Sequence, residues 1–90
     1  MVNAFVLINI EGKKVREIGQ SLLEVNGVTE VYSIAGEYDF LVVIRVPDNA
    51  ALANIVTEEI FHKAGVRHTK TLFALDSYAK VDLPSVFKVK

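Results

Sequence analysis

The sequence predicts an α+β domain whose strands and helices follow one another in the order β-α-β-β-α-β. Two segments, residues 2–10 and 40–46, have strand length and are apolar on both faces. Two others, residues 13–25 and 49–64, carry apolar residues at helical spacing. Each of these two ends at a Gly-Val step that leads into a further strand, "NGVTEVYSI" in the first half and "AGVRHTKTL" in the second. The chain therefore contains the same strand-helix-strand pattern twice.

In the first half, the strand Val2–Ile10 is predicted to be central in a sheet, because both of its faces are apolar. Glu11-Gly12 ends it, and a helix is predicted from Lys13 to Val25, with Asn26-Gly27 as its stop. The predicted apolar stripe of this helix consists of Val15, Ile18, Leu22 and Leu23. Residues 28–34 are rich in β-branched and aromatic side chains and predict the second strand.

In the second half, a short hairpin connection, Ala35–Asp39, leads into the strand Phe40–Val46, which is apolar on both faces apart from Arg45. Pro47-Asp48 ends this strand, and Asp48 is predicted to be the N-cap of the second helix. The predicted apolar stripe of that helix consists of Leu52, Ile55, Val56 and Ile60.

The fourth strand is predicted from Val66 to about Ala79, after Ala64-Gly65 ends the second helix. Alternation along this strand places one set of side chains on a common face, namely Thr69, Thr71, Phe73 and Leu75. The tail, Lys80–Lys90, contains Pro84, which is disfavoured in a central strand.

This order of elements is the split-βαβ, ferredoxin-like arrangement, a four-stranded antiparallel sheet with both helices on one face. The other sheet face is then uncovered, although the first and third strands are apolar there too. The chain is also 51% hydrophobic, which is high for a domain of 90 residues with a large surface. We therefore predict that two copies dimerise through the free sheet face about a two-fold axis.

Composition excludes several partners and cofactors. The formal net charge is −1 without a cluster of lysine or arginine, so we expect no direct binding to nucleic acid or to an anionic membrane. There is no cysteine, and hence no disulfide and no thiolate metal site, which fits a cytoplasmic protein. No signal peptide can be assembled at the N-terminus, and no apolar run reaches the roughly 18 residues of a membrane helix.

The sequence predicts no enzymatic activity, no metal site and no cofactor. The two histidines, His62 and His68, have no partners at the spacing of a catalytic triad or a metal site. There is also no GxGxxG or Walker-type loop. A small enzyme of the dimeric α+β barrel type, a monooxygenase or an isomerase, stays open as an alternative. An ACT-like regulatory domain and a purely structural interaction protein that binds no ligand stay open as well.

Two polar features could contact a ligand. In "AGEYDF", Gly36 accounts for the turn, but Asp39 places a carboxylate directly before a buried strand. Such a carboxylate suits an ammonium group, and it equally suits hydrogen bonding within the turn. In the fourth strand, Thr69 and Thr71 point the same way and either line a polar pocket or serve as ordinary strand residues.

The segment "YSIAGEYDFLVVIRVPDNAALANIVTEEIFHKAGVRHTKTLFAL" resembles the effector-binding (RAM) domain of the Lrp/AsnC transcription regulators. The resemblance rests on the glycine and the "YD" step before an apolar strand, on a "VPD" step before a helix, and on a Gly-Val step into a Thr-x-Thr strand. It extends from about Val2 to Lys80. It implies a ferredoxin-like fold, dimers with their sheets face to face, and rings of dimers such as octamers.

The resemblance also implies a ligand and a site. Amino acids or related small metabolites would bind between dimers, contacted by Gly36, Tyr38, Asp39, Thr69 and Thr71. Asp39 would meet the α-ammonium group of the ligand. The residue before the glycine is commonly threonine in the family but is Ala35 here, so the pocket edge lacks one hydroxyl.

The family's N-terminal helix-turn-helix has no counterpart in this sequence. We expect residues 1–90 to form a single ligand-binding domain without a DNA-binding domain. The expected function is amino acid sensing and oligomerisation that modulates transcription or amino acid metabolism, with full-length Lrp/AsnC regulators as further partners.

Overall fold

The computed structural model describes residues 1–80 and has the predicted ferredoxin-like architecture. The elements are β1 (Val2–Ile10), α1 (Val15–Leu23), β2 (Val28–Ser33), β3 (Phe40–Val46), α2 (Asn49–Asn54), a π-helical segment (Ile55–Ile60) that continues α2, and β4 (Val66–Phe73). Residues 81–90, with Pro84, lie outside the described part of the chain, so the expectation for this tail stays a prediction.

The four strands form one antiparallel sheet in the order β2-β3-β1-β4. The central positions of β1 and β3, predicted from their two apolar faces, are confirmed. One row of directly paired residues crosses three strands, because Ile8 pairs with Phe40 on one side and with Thr69 on the other. Directly paired residues share a face of the sheet, so this register assigns every strand residue to one of the two faces.

The core lies between the two helices and one face of the sheet. Ala4, Val6 and Ile8 of β1 are fully buried on that face. The remaining core residues come from β3, from the helices and from the segment after α1, namely Phe40, Val42, Ile44, Val46, Ile18, Leu22, Val25, Leu52, Ile55 and Ile60. The opposite face, formed by the odd-numbered residues of β1 and their partners, carries no helix of residues 1–80 and is called the free face below.

Helix α1 is shorter than predicted, since it begins at Val15 instead of Lys13 and ends at Leu23 instead of Val25. Its predicted apolar stripe is only half correct. Ile18 and Leu22 are buried, but Val15 is 40% exposed and Leu23 is 47% exposed. Leu23 lies 100° around the helix axis from Leu22, and Val15 lies at the helix end, so neither faces the sheet squarely.

Helix α2 begins where the sequence predicts. The Asp48 carboxylate accepts a hydrogen bond from the Ala51 backbone N–H at 2.8 Å and caps the helix. From Ile55 the turn widens, and the Phe61 N–H donates to the Val56 carbonyl, five residues back, at 3.1 Å. The helical segment therefore ends at Ile60 and not at Ala64.

The apolar stripe predicted for the second helix is confirmed. Leu52, Ile55 and Ile60 are buried, and Val56 packs against the core while remaining partly exposed. The wider π turn keeps Ile55 and Ile60, five residues apart, on the same buried side of the helix.

Strand β4 ends at Phe73, earlier than the predicted Ala79. The Ala74 N–H still donates to the Asn3 carbonyl at 3.0 Å, but the neighbouring strand β1 begins at Val2. Among residues 1–80 the ladder between β1 and β4 ends at the pair Ala4 and Phe73, and Leu75 is 99% exposed rather than on a strand face. The placement of Leu75 on the Thr69 face was therefore wrong.

Candidate functional site

The predicted loop residues lie at the end of the sheet where the chain passes from β2 to β3. The Asp39 N–H donates to the Ile8 carbonyl, and its own carbonyl accepts from the Ile34 N–H, both at 2.9 Å. Its carboxylate oxygen Oδ2 accepts from the Ile10 N–H, also at 2.9 Å. Asp39 therefore joins the end of β2 and the end of β1 through three hydrogen bonds.

The Asp39 carboxylate accepts a hydrogen bond from a strand distant in sequence rather than from its own turn. Its partner Ile10 is 29 residues away in sequence and adjoins the register shift between Asn9 and Ile10 in the β1–β4 pairing. The Ile10 N–H points to the β3 side of β1, as the Ile8 carbonyl does, but lies beyond the start of β3 at Phe40, and Oδ2 satisfies it there. Within residues 1–80 this bond occupies only Oδ2, so Oδ1 can accept from a further donor.

Gly36 is required by the backbone of the same loop. Its φ of +145° is a conformation that side chains rarely adopt, and a Cβ built there would touch nothing within 4 Å. The loop tip is thus exposed at Gly36 and half-buried at Tyr38 and Asp39. The backbone at Gly36 is therefore accessible at this corner.

Thr69 and Thr71 share a face of β4, as predicted. Both are half-buried on the helix side of the sheet, where they pair with Ile8 and Val6. Thr71 also lines a cavity of about 390 Å³ beside the second helix. The other lining residues are Asn49, Leu52, Ala53, Val56, Thr57 and Phe73.

The structure of one copy does not bring the predicted site residues into contact with one another. Strand spacings put Thr71 about 14 Å from Asp39, because it lies two strands across and three residues along the sheet. Thr69 is nearer, two strands or about 10 Å across from the start of β3. A small ligand that touches both the loop and β4 would therefore have to lie between copies.

A second groove, not selected from the sequence, adjoins the Asp39 corner. It has a volume of about 470 Å³ and lies where β1 passes into α1, beside the connection to β4. The Glu11 N–H donates to the Gly65 carbonyl at 2.8 Å and joins two of the residues that line the groove. Its rim carries the charged side chains Glu11, Lys13, Lys14 and Glu17. In the sequence, the "EGKK" run marks this groove. Its side chains carry both positive and negative charge, which suits a zwitterionic ligand.

The free face has an apolar centre. Phe5 and Leu7 of β1 lie there, directly opposite Val43 and Leu41 of β3. Leu72 of β4, which pairs with Phe5, extends the apolar area and is 42% exposed. Val43 is buried, and Phe5, Leu7 and Leu41 are half-buried, although no helix of residues 1–80 packs on them. A partly exposed apolar sheet face is a typical contact surface for another protein chain.

A polar row crosses one end of the free face and was missed in the sequence, where only Arg45 was noted. The Arg45 guanidinium donates to the Asn3 side-chain carbonyl at 3.2 Å and lies 3.8 Å from the Glu30 carboxylate. The Tyr32 hydroxyl donates to the same Glu30 carboxylate at 2.5 Å. Three strands thus share one network, which cross-strand pairing creates and sequence spacing does not reveal.

This network changes the acidity of Tyr32. The hydrogen bond to Glu30 and the negative charge of Glu30 both raise the pKa of the Tyr32 hydroxyl above its ordinary value of 10.0. Ionising the phenol would remove the donor and place two negative charges side by side.

The described part of the chain contains no cluster of three or more histidine and acidic side chains that could hold a metal ion. No helix among residues 1–80 is long and apolar enough to cross a membrane.

The chain is a ferredoxin-like α+β domain by its fold. Comparison with known proteins assigns it to a family. The Lrp/AsnC ligand binding domain matches residues 3–83, so the chain belongs to the Lrp/AsnC ligand-binding domain family. The resemblance seen in the sequence is thereby confirmed. Curated relatives that share this domain are named transcriptional regulators, and membership of this family sets aside the alternatives of a barrel enzyme and an ACT-like domain.

Two similar proteins differ in how much of their own length this chain covers. The structure of TTHA0845 from Thermus thermophilus is 39% identical, with a TM-score of 0.82 over 89% of this chain and 100% of that one. The HTH-type transcriptional regulator FL11 from Pyrococcus abyssi is 32% identical over 90% of this chain and 54% of its own length. The chain thus spans about half the length of the curated relatives that it matches.

A third relative was solved with a ligand. The feast or famine regulatory protein Rv3291c from M. tuberculosis, in complex with L-methionine, is 26% identical with a TM-score of 0.75. The match covers 91% of this chain and 56% of that one.

Proposed function

We propose that this chain is an effector-sensing and assembly domain that binds an amino acid or a related metabolite and dimerises through its free sheet face. The observation that carries the ligand class is the L-methionine complex of Rv3291c, a family member 26% identical to this chain. The output is modulation of transcription or of amino acid metabolism, exerted without direct DNA contact by residues 1–90 and through association with full-length regulators of the family.

The proposed site combines the loop of one copy with β4 of another. Oδ1 of Asp39 would accept a charge-assisted hydrogen bond from the α-ammonium group, while Oδ2 keeps its bond to Ile10. The exposed backbone at Gly36 and the half-buried ring of Tyr38 would form one wall. The Thr69 and Thr71 hydroxyls would face the ligand from a neighbouring dimer, because they are too far away within one copy.

The apolar centre of the free face supports dimerisation, and a site between dimers would couple ligand binding to assembly. A ligand that binds only the assembled form shifts the equilibrium toward dimers of dimers and toward rings such as octamers. Ligand concentration would then be converted into oligomer size, and full-length partners could respond to that size.

The test is calorimetric titration of the chain with each of the twenty amino acids, with molar mass followed by light scattering. Saturable heat from one chemical class, accompanied by a rise in mass, supports the proposal. A stable oligomer that gives no heat with any of them contradicts amino acid sensing. A chain that stays monomeric at every concentration contradicts assembly through the free face.

A further inference from the structure

The outer edge of β4 has no partner strand among residues 1–80, because β4 ends the sheet and pairs with β1 alone. The Ala74 N–H donates to the Asn3 carbonyl of β1. Backbone groups in an antiparallel ladder alternate in direction, so every second residue before Ala74 also points toward β1. The residues between them direct their N–H and carbonyl groups outward, namely Thr69, Thr71 and Phe73.

A groove adjoins this edge on the helix side of the sheet. The three outward-facing residues pair with the buried residues of β1, so their side chains lie on the helix side. Phe73 is 60% exposed there, and together with Thr71 it lines the cavity of about 390 Å³ beside the second helix. The same cavity is lined by Leu52, Ala53 and Val56. An open backbone edge beside pockets for alternate side chains is the arrangement that binds an added β-strand.

The chain itself contains a segment suited to this edge. Residues 81–90, "VDLPSVFKVK", follow directly after Lys80 and lie outside the described part of the chain. Most odd-numbered positions are apolar and most even-numbered ones are not, with Ser85 and Val86 as the exceptions. The odd-numbered apolar residues are Val81, Leu83, Phe87 and Val89, and the even-numbered residues include Asp82, Lys88 and Lys90. A period of two is typical of a strand with one buried face.

Two independent features of this segment select the same alignment with β4. Directly paired residues share a sheet face, so the partners of the outward-facing β4 residues must also point to the helix side and use their backbone groups. If odd-numbered residues take these positions, Phe87 lies in the groove. Pro84 is then even-numbered, with its nitrogen facing away from β4, so its missing N–H costs no ladder bond. The opposite alignment would put Pro84 at a bonding position and Lys88 over the groove.

We propose that residues 81–90 of the same chain add an antiparallel strand at the edge of β4, with their odd-numbered side chains in the groove beside the second helix. Residues 74–80 are long enough for the chain to reverse. Ten residues in a strand extend about 33 Å, against about 26 Å for the eight residues of β4. The other edge strand, β2, lies three strand spacings or about 14 Å from β4, so β4 is the nearer edge.

Covering this edge changes which surfaces of the domain stay open to other chains. An uncovered edge strand is a template for pairing with further copies. The added strand satisfies the outward backbone groups of β4 and becomes the new edge. It carries Pro84, Lys88 and Lys90, the residue types that discourage further pairing at an edge. The edge is covered in this way whether or not a ligand binds.

The test is amide hydrogen exchange by NMR on residues 1–90, comparing the wild type with Phe87→Ser and Val86→Ser. These neighbours are a matched pair, because only Phe87 has the alignment proposed for the groove. In the wild type, the amides of Thr69, Thr71 and Phe73 should exchange as slowly as other strand amides. Phe87→Ser should speed their exchange at least about tenfold, since an aromatic side chain leaves the groove. Val86→Ser should change it by less than about twofold.

The Lys70 and Leu72 amides face β1 and serve as internal references, so they should stay protected in all three proteins. Fast exchange at the three outward-facing positions of the wild type would overturn the added strand. Equal responses to the two substitutions would overturn the alignment. Protection that appears only as protein concentration rises would mean that a second copy covers the edge, which would overturn pairing within one chain.

Discussion

The Asp39 carboxylate and the Ile10 backbone N–H form a 2.9 Å hydrogen bond that joins the start of β3 to the end of β1. The proposed ligand contact of Asp39 and its structural role therefore fall on the same side chain. We expect Asp39→Ala to lower the free energy of unfolding by about 1.5–3 kcal/mol, the usual cost of losing a hydrogen bond to a charged group. Urea denaturation measures this cost.

The stability loss makes Asp39→Ala ambiguous as a test of ligand contact, and Asp39→Asn resolves the ambiguity. The asparagine carbonyl can still accept from Ile10, so most of the stability should remain. The negative charge is lost, so affinity for an ammonium-bearing ligand should fall at least about tenfold, as expected for a charge-assisted bond. Unchanged affinity in Asp39→Asn would exclude a direct contact between Asp39 and the ammonium group.

Two glycines with positive φ should respond differently to alanine. At Gly36 the added Cβ meets nothing within 4 Å, so only backbone strain of about 1–2 kcal/mol is expected. At Gly27 the Cβ would lie 2.7 Å from Ile55 Cδ1 and 2.9 Å from Val46 Cγ1, both in the core. Overpacking adds about 1–3 kcal/mol there. Equal losses in thermal or urea unfolding would contradict this ranking.

The raised pKa of Tyr32 predicts a loss of stability at high pH. The folded state favours the protonated phenol. Its contribution to the free energy of unfolding is therefore fully present below the ordinary pKa of 10.0 and is lost as pH rises through the raised pKa. Titration of the ring carbons by NMR should show Tyr32 ionising at higher pH than it does in a Glu30→Gln variant, where the neighbouring negative charge is absent. Identical titration curves in the two proteins would exclude Glu30 as the cause.

Leu72 tests the free face as a dimer interface. It is 42% exposed in one copy, so Leu72→Lys should change the stability of the monomer by only about 0.5 kcal/mol. Burying an unpaired charge between two sheets should raise the dimer dissociation constant at least tenfold, roughly. Leu23→Lys is the matched control, because Leu23 is 47% exposed but lies on α1. Equal dissociation of both variants would place the interface elsewhere.

The sequence by itself determined the order of the elements and the place of β1 and β3 at the centre of the sheet. A strand with apolar residues on both faces is favoured at the centre of a sheet, and this pattern is local to the strand. The Asp48 cap and the buried stripe of α2 could likewise be predicted from the sequence, because both depend on residues three or four positions apart.

The tertiary structure alone decided which polar groups form hydrogen bonds and ion pairs with one another. The bond from Ile10 to Asp39 and the network of Asn3, Arg45, Glu30 and Tyr32 join residues from different strands, and their partners depend on register. The early end of β4 also has a non-local cause, since its partner strand begins only at Val2. Pairing between distant segments sets these contacts, so the spacing of residues along the chain does not contain them.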